Sequence, residues 1–268
     1  MTTTMDSPMD TLPPDIAASW QRAQSAGLHP ETPLDAQLRD VDWQSRLLVA
    51  AAPVLDELSV QLEDTTLCVL LADHEGRLVD HRYTDHRVET VLGRIGIVPG
   101  VRLTEEVSGT NSVATCYETR EPVFVNGSQH YLHSLKQFSC YGHPIRHPVT
   151  HRLEGVLDMT GVMPAAHPLF APLVQHAVRD IEARLMTGSG QAERKLMAAF
   201  RAAAHARSCA IVVLGDDVVL SNSLALDMMD GADHALLRGL TPGPSSRSIV
   251  HELTLASGQQ VRAHVERV

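Results

Sequence analysis

The hydrophobic period changes at Thr66, and that change constrains the fold more than any other feature of the chain. Before it, Trp43, Leu47, Leu48, Ala51, Leu55, Leu58 and Leu62 recur at steps of three and four, which makes one apolar stripe on a helix. After it, Leu67–Leu71 is a short buried-strand run, His74-Glu75-Gly76 is a turn, and Arg77–Tyr83 returns as a second strand. A helical patch at Val88–Leu92 follows, then a glycine-rich connection from Gly93 to Gly100. The polar stretch Thr104–Asn111 leads into a helix ending near Glu118. Next come a strand at Pro122–Val125, a loop at Asn126-Gly127, a short helix near Gln129–Lys136, and strands at Phe138–His147 and Leu153–Thr160. The order β-β-α-β-α-β-β predicts an α+β fold with a mixed antiparallel sheet and flanking helices. It lacks the regular βαβα alternation of a parallel doubly wound sheet.

The flanks set the domain organisation. Pro13-Pro14-Asp15 is a helix start ahead of Ile16, Ala17 and Trp20, and Gly27 with Pro30 ends that helix. Pro53 is expected to kink or interrupt the second helix. Beyond Pro164 and Pro168, the residues Phe170, Leu173, Val174, Ala177, Ile181 and Leu185 form a further helical stripe, which Gly188-Ser189-Gly190 is expected to break. The reading is a disordered tail at 1–12, a helical segment at 13–63, the α+β domain at 64–187 and a smaller α+β unit at 191–268. That last unit holds a helix (Glu193–Ala206), a hairpin (Cys209–Leu214 with Val218–Ser221), short helices to Leu240, a Pro/Gly/Ser loop and a closing hairpin turned at Ser257-Gly258.

Composition excludes several function classes. With 44% hydrophobic and 20% charged residues the chain has an ordinary globular mix. Lysine and arginine total 22 against 32 acidic residues, a net charge of -10, so no global basic field draws it to nucleic acid or an anionic membrane. Apolar runs such as Cys68–Ala72 reach only about five residues where a spanning helix needs ~20. The start MTTTMDSPMD is acidic where a secretory signal is basic, and a cytoplasmic location is expected. The four cysteines, Cys68, Cys116, Cys140 and Cys209, contain no CxxC and point to reduced thiols, with no disulfide framework and no zinc site. The 15 histidines protonate as pH falls toward the pI of 5.8, and solubility is expected to be lowest there. No phosphate loop, no GxGxxG, no GxSxG and no HExxH occurs, so no cofactor, no metal and no enzymatic activity is expected.

The segments GVRLTEEVSGTNSVATCYETREPVFVNGSQHY, FSCYGHPIRHP and LEGVLDMTG together resemble the GAF sensory domain of acetoin-type (AcoR-like) and dihydroxyacetone-type transcriptional regulators. The matching residues are Glu105/Glu106, Gly109-Thr110-Asn111, Pro122-Val123, Gln129-His130-Tyr131, Cys140 with Pro144-Ile145, and Gly155-Val156-Leu157-Asp158 with Gly161. Ser19-Trp20-x-Arg22 followed by Gly27-Leu28-x-Pro30 matches the family's N-terminal helical signature, so the resemblance covers about residues 15–187. Gln129 stands where the family usually has glutamate and His143 where a small residue is common, which alters pocket polarity. The second unit, with VVLGDDVVLSNSLALDMM, resembles the PAS-like segment that follows the GAF domain in actinobacterial members. The resemblance implies a sensory module of a transcriptional regulator that binds a small organic effector and works as a homodimer through its flanking helices. DNA contact is then expected only through a helix-turn-helix segment absent from this chain, or through a partner. Two rival readings are a cysteine-dependent methionine sulfoxide reductase, with Cys116 and Cys140 as its thiols, and a protein-docking module without ligand.

The candidate ligand-binding residues are Glu105, Glu106, Gly109, Thr110, Asn111, His130, Cys140, His143 and Asp158. Gly109-Thr110-Asn111 offers backbone donors at a helix start, or simply caps that helix. Glu105 and Glu106 orient a hydroxylated effector, lie on a solvated loop or complement the helix start. Cys140 has His143 three residues on and His130 nearby, but on a strand i and i+3 point to opposite faces, which argues against a direct Cys140–His143 pair. Asp158, on an apolar strand, is costly to bury without a partner and is expected to face the polar side or bond a nearby loop, with pocket lining as the alternative. The expected cavity lies between the sheet and the loop at Pro99–Asn111.

Overall fold

A computed structural model describes residues 12–34, 38–162, 169–203, 209–215, 218–240 and 248–266. The expected disordered tail and the Pro/Gly/Ser loop after Leu240 fall outside them, apart from the tail's last residue. The chain divides into two compact units, Met1–Met186 and Thr187–Val268.

The first unit is built on a five-stranded antiparallel sheet. Its strands are β1 (Leu67–Asp73), β2 (Leu78–Tyr83), β3 (Val123–Asn126), β4 (Phe138–Arg146) and β5 (Leu153–Val162), in the order β2-β1-β5-β4-β3. Residues 100–103 run along the outer edge of β2, where Leu78 N–H donates to the Val101 carbonyl and Leu103 N–H to the Gly76 carbonyl. Side chains alternate across this sheet, so Val69, Leu71, Tyr141, Ile145, Leu157 and Met159 fall on one face. There α2 (Arg46–Gln61) and the first half of α6 (Phe170–Ala203) cover them. Cys68, Leu70, Cys140 and Val156 fall on the other face, beneath α1 (Pro14–Ser25), α3 (His86–Arg94), α4 (Glu105–Ser108) and α5 (Ser112–Thr119).

Four expectations are corrected. Pro53 does not interrupt α2: it and Val49, whose carbonyl loses the proline's missing N–H, both sit on the solvent side, where that carbonyl is open to solvent. Trp43 precedes α2 and is 64% exposed, so it is not a core residue. The stretch near Gln129–Lys136 is not an α-helix but two separate 3-10 turns, Gly127–Gln129 and His133–Leu135. Gly188-Ser189-Gly190 does not break α6, which runs unbroken to Ala203; each glycine costs about 1 kcal/mol against alanine, a penalty a helix this long absorbs.

The second unit contains β6 (Val212–Leu214) paired with β7 (Val219–Ser221), α7 (Ser223–Met228), α8 (Gly231–Arg238), and β8 (Ser248–Thr254) paired with β9 (Gln260–Glu266). Asn222 organises its first half. Its Oδ1 accepts from Ala225 N–H, which caps α7, and from Ile211 N–H, while its Nδ2 donates to the Cys209 carbonyl. Buried Asp233 accepts from Asp230 N–H and Ala256 N–H, tying α8 to the last hairpin. The two hairpins form separate two-stranded sheets among the described residues.

Candidate functional site

The face that carries α5 is mostly apolar, with a polar cluster at its centre and His81 on its β2 side. Strand alternation puts Val156, Asp158 and Thr160 of β5 on this face, and the antiparallel register sets Cys68 and Cys140 on either side of Thr160. Asp158 is 1% exposed. Its Oδ1 accepts a hydrogen bond of 2.5 Å from Ser112 Oγ, at the first turn of α5, and its Oδ2 one of 2.6 Å from Thr160 Oγ1. Thr160 Oγ1 also lies 3.1 Å from Cys140 Sγ. Burial raises the Asp158 carboxyl from its ordinary 3.8 to about 6, against the pull of the two hydroxyls, which favour the carboxylate. Gly142 permits the close approach of α5. A Cβ there would stand 2.8 Å from the Ser112 carbonyl oxygen and 3.0 Å from Cys116 Sγ.

The loop before α5 is held from outside. Asn111 caps α5, its Oδ1 accepting from Ala114 N–H, while its Nδ2 donates to Ser108 Oγ and the Gly109 carbonyl. Gly109 takes φ 61° with Tyr131 against it, a backbone that only glycine adopts easily. Glu105 is 4% exposed and takes Arg22 Nε at 2.5 Å, Arg22 Nη2 at 2.9 Å and Ser19 Oγ at 2.6 Å. Ser19 Oγ also lies 2.7 Å from Thr110 Oγ1. Trp20 Nε1 donates to the Gln129 carbonyl at 2.8 Å and its ring meets Tyr131 edge-on. Gln129 turns its side chain back to accept from Asn126 N–H. The Ser-Trp-x-Arg signature of α1 is therefore a clasp on the segment that opens α5.

The candidate residues do not form one site. Asp158 and Cys140 share the polar centre. Glu105, Thr110 and Asn111 belong to the clasp and cap, so Glu105 is a buried ion-pair partner of Arg22 and not a residue of a solvated loop. Glu106 is exposed. His143 lies on the opposite face from Cys140, half-buried, with Glu182 and Arg179 of α6 among the charges that act on it; burial lowers its pKa. That placement separates His143 from any site shared with Cys140. His130 is buried, its Nδ1 3.1 Å from the Gly127 carbonyl and its Nε2 without a partner; burial lowers it to about 4, so it is neutral. Ser112 and Thr160 were not among the sequence candidates, and Ser19 and Arg22 stood there only as part of the helical signature, not as partners of Glu105. The signal for the first two was Asp158 itself, since a carboxyl on an apolar strand requires donors.

The three buried thiols are poor nucleophiles. Burial pushes Cys68, Cys116 and Cys140 up, with Asp158 adding to it in each, so all three stay protonated. Among the described residues no group of three or more His, Cys, Asp or Glu is placed to hold a metal ion, and no helix is long and apolar enough to cross a membrane.

Sheet order and flanking helices define a GAF-type α+β fold. The chain belongs to the MimR N-terminal domain family, whose model matches residues 2–183. It is 35% identical over 228 residues to the propane 2-monooxygenase operon transcriptional activator MimR of Mycolicibacterium goodii, covering 85% of this chain and 39% of that protein. It is 30% identical over 193 residues to the acetoin dehydrogenase operon transcriptional activator AcoR of Bacillus subtilis, covering 69% of this chain and 31% of that one. The chain thus spans less than half the length of these curated relatives. Among solved structures it is similar to the Escherichia coli DhaR(N)–DhaL complex, with a TM-score of 0.64 at 14% identity over 96% of this chain and 100% of that one, a likeness of fold.

Proposed function

We propose that this chain is the effector-sensing, non-catalytic part of a cytoplasmic transcriptional activator, and that its effector is a short alcohol, ketone or diol bound at Asp158. The observation that carries the reading is the polar cluster of Asp158 with Ser112, Thr160 and Cys140, set among apolar residues at the centre of the sheet and separate from the Glu105 clasp. A compound of a few carbons with one or two oxygens has matching chemistry: its alkyl part suits Leu70 and Val156, and its hydroxyl or carbonyl exchanges for an internal hydrogen bond of the cluster. The names of the relatives, activators of propane 2-monooxygenase and acetoin dehydrogenase operons, support compounds of this size. The protonated thiols argue against the cysteine-dependent reductase.

The stripes of α2 and α6 expected to pack a dimer cover the chain's own sheet instead. A homodimer contact is then left to residues such as Val49 and Val60, each 65% exposed on the outer side of α2. The DhaR(N)–DhaL complex supports a second reading, docking of a protein partner. Mass spectrometry of small molecules released from the purified native protein, with thermal shifts against a panel of three- and four-carbon alcohols, ketones and diols, tests the first. Stabilisation lost in Asp158→Ala supports it. No stabilisation at millimolar concentrations, or multiple turnovers of any panel member, overturns it.

A further inference from the structure

We propose that α1 is a detachable latch whose docking is set by the state of the Asp158 cluster, the start of α5 being the connection between them. The proposal rests on the reading of Asp158 as the effector contact and adds what that contact moves.

Polar contacts run from one end to the other. Arg22 of α1 is paired with Glu105, and Glu105 accepts from Ser19 of the same helix. Ser19 lies 2.7 Å from Thr110 Oγ1. Two residues on, Ser112 donates to Asp158, which accepts in turn from Thr160 beside Cys140. The start of α5 is therefore held from the α1 side through Thr110 and from the sheet side through Ser112. A shift that lengthens one set of bonds strains the other.

A coupling needs an element with two states, and α1 qualifies. It has only 12 residues, a length at which an isolated helix is marginal in water, and no side-chain cap at its start. Its fully buried residues are Ile16, Ser19 and Ala23, and half-buried Trp20 packs against Tyr131; the polar clasp of Ser19 and Arg22 adds to this short apolar contact. The following segment repeats the pattern: Tyr131 Oη donates to the Leu28 carbonyl at 2.6 Å and His133 N–H to the Pro30 carbonyl at 2.9 Å. Undocked, α1 loses the contacts that keep it helical. The switch is then order to disorder, with the sheet unchanged.

Hydrogen–deuterium exchange of the full chain, read by mass spectrometry without any ligand, tests this. In the wild type, α1 amides should exchange faster than those of β1 and β5. Arg22→Gln should speed α1 by about tenfold, the cost of one charge-assisted hydrogen bond, while β1 and β5 hold their rates; Arg22→Lys should recover part of the protection. The decisive variants are Ser112→Ala and Thr160→Val, whose altered atoms make no hydrogen bond to α1. Both should shift α1 exchange at least threefold. If α1 exchanges in step with β1 and β5, or if neither distant variant changes it, the latch is overturned. An effector screen that fails while the distant variants still move α1 removes the ligand reading alone; the opposite pattern leaves the site and removes the latch.

Discussion

The buried carboxyl of Asp158 makes a measurable claim about stability and pH. Its pKa is raised in the fold, from 3.8 to about 6, so the proton favours the folded state. The stabilising contribution is full below the unfolded value near 3.8 and is lost as pH rises through about 6. At 1.36 kcal/mol per pH unit, that interval amounts to about 3 kcal/mol. Asp158→Asn keeps the shape and removes the titration. The experiment compares wild type and variant by urea unfolding across pH 3.5–7.5. Both tryptophans, Trp20 and Trp43, lie in the first unit, so fluorescence follows that unit alone. Histidines common to both proteins cancel in the difference. The stability of wild type minus variant should fall by about 3 kcal/mol between the acid and neutral ends, which at a slope of about 2 kcal/mol per molar is a relative midpoint shift of about 1.5 M urea. A difference that stays flat across the interval refutes the placement of Asp158 in a water-free environment. Low protein concentration keeps the measurement clear of poor solubility near pH 5.8.

Other substitutions probe the surrounding structure. His130 is held neutral with a pKa lowered to about 4, so its stabilising contribution is present above 6.5 and is lost as pH falls through about 4; His130→Gln should remove about 3 kcal/mol of acid sensitivity in the same urea series. Asn111→Ala deletes the cap of α5 and should lower stability by about 1 kcal/mol, read as a reduced thermal midpoint. Val49→Asp with Val60→Asp should convert a dimer to a monomer in sedimentation while leaving the thermal midpoint within a few degrees, since both residues face solvent in the isolated chain.

The elements that were legible are those whose signals are local. Pro14 at a helix start, the stripe of α2 and the turn at His74-Glu75-Gly76 each specify their own backbone, and α1, α2 and the β1–β2 hairpin follow. What a helical stripe packs against is not local. Leu47, Leu48, Ala51, Leu55 and Leu58 repeat with the same period whether they meet a second copy or the chain's own Leu157 and Met159, and here they meet the sheet. The site divides in the same way. A carboxyl among Val156, Leu157 and Met159 announces its need for donors, but Ser112 lies 46 residues earlier and becomes its partner only when α5 lies across Gly142. His143 is the converse case: strand alternation alone separated it from Cys140, and the register of β4 agrees.

Keeping Asp158 and His130 buried has a cost. A buried polar group contributes less to stability than an apolar one of similar volume, and a carboxyl that ionises near neutral pH contributes less again. An apolar centre would hold the sheet to α5 more firmly. It would also leave the start of α5 with one arrangement, because apolar contacts carry little directional information. The hydroxyl and carboxyl contacts at Ser112, Asp158 and Thr160 are short and directional, so on the proposed reading a ligand oxygen exchanged for one of them would reposition a specific turn. That turn is the one Ser19 and Glu105 fasten to α1. Under the proposed latch, stability given up at the centre of the sheet would appear at the clasp as sensitivity to what occupies the centre.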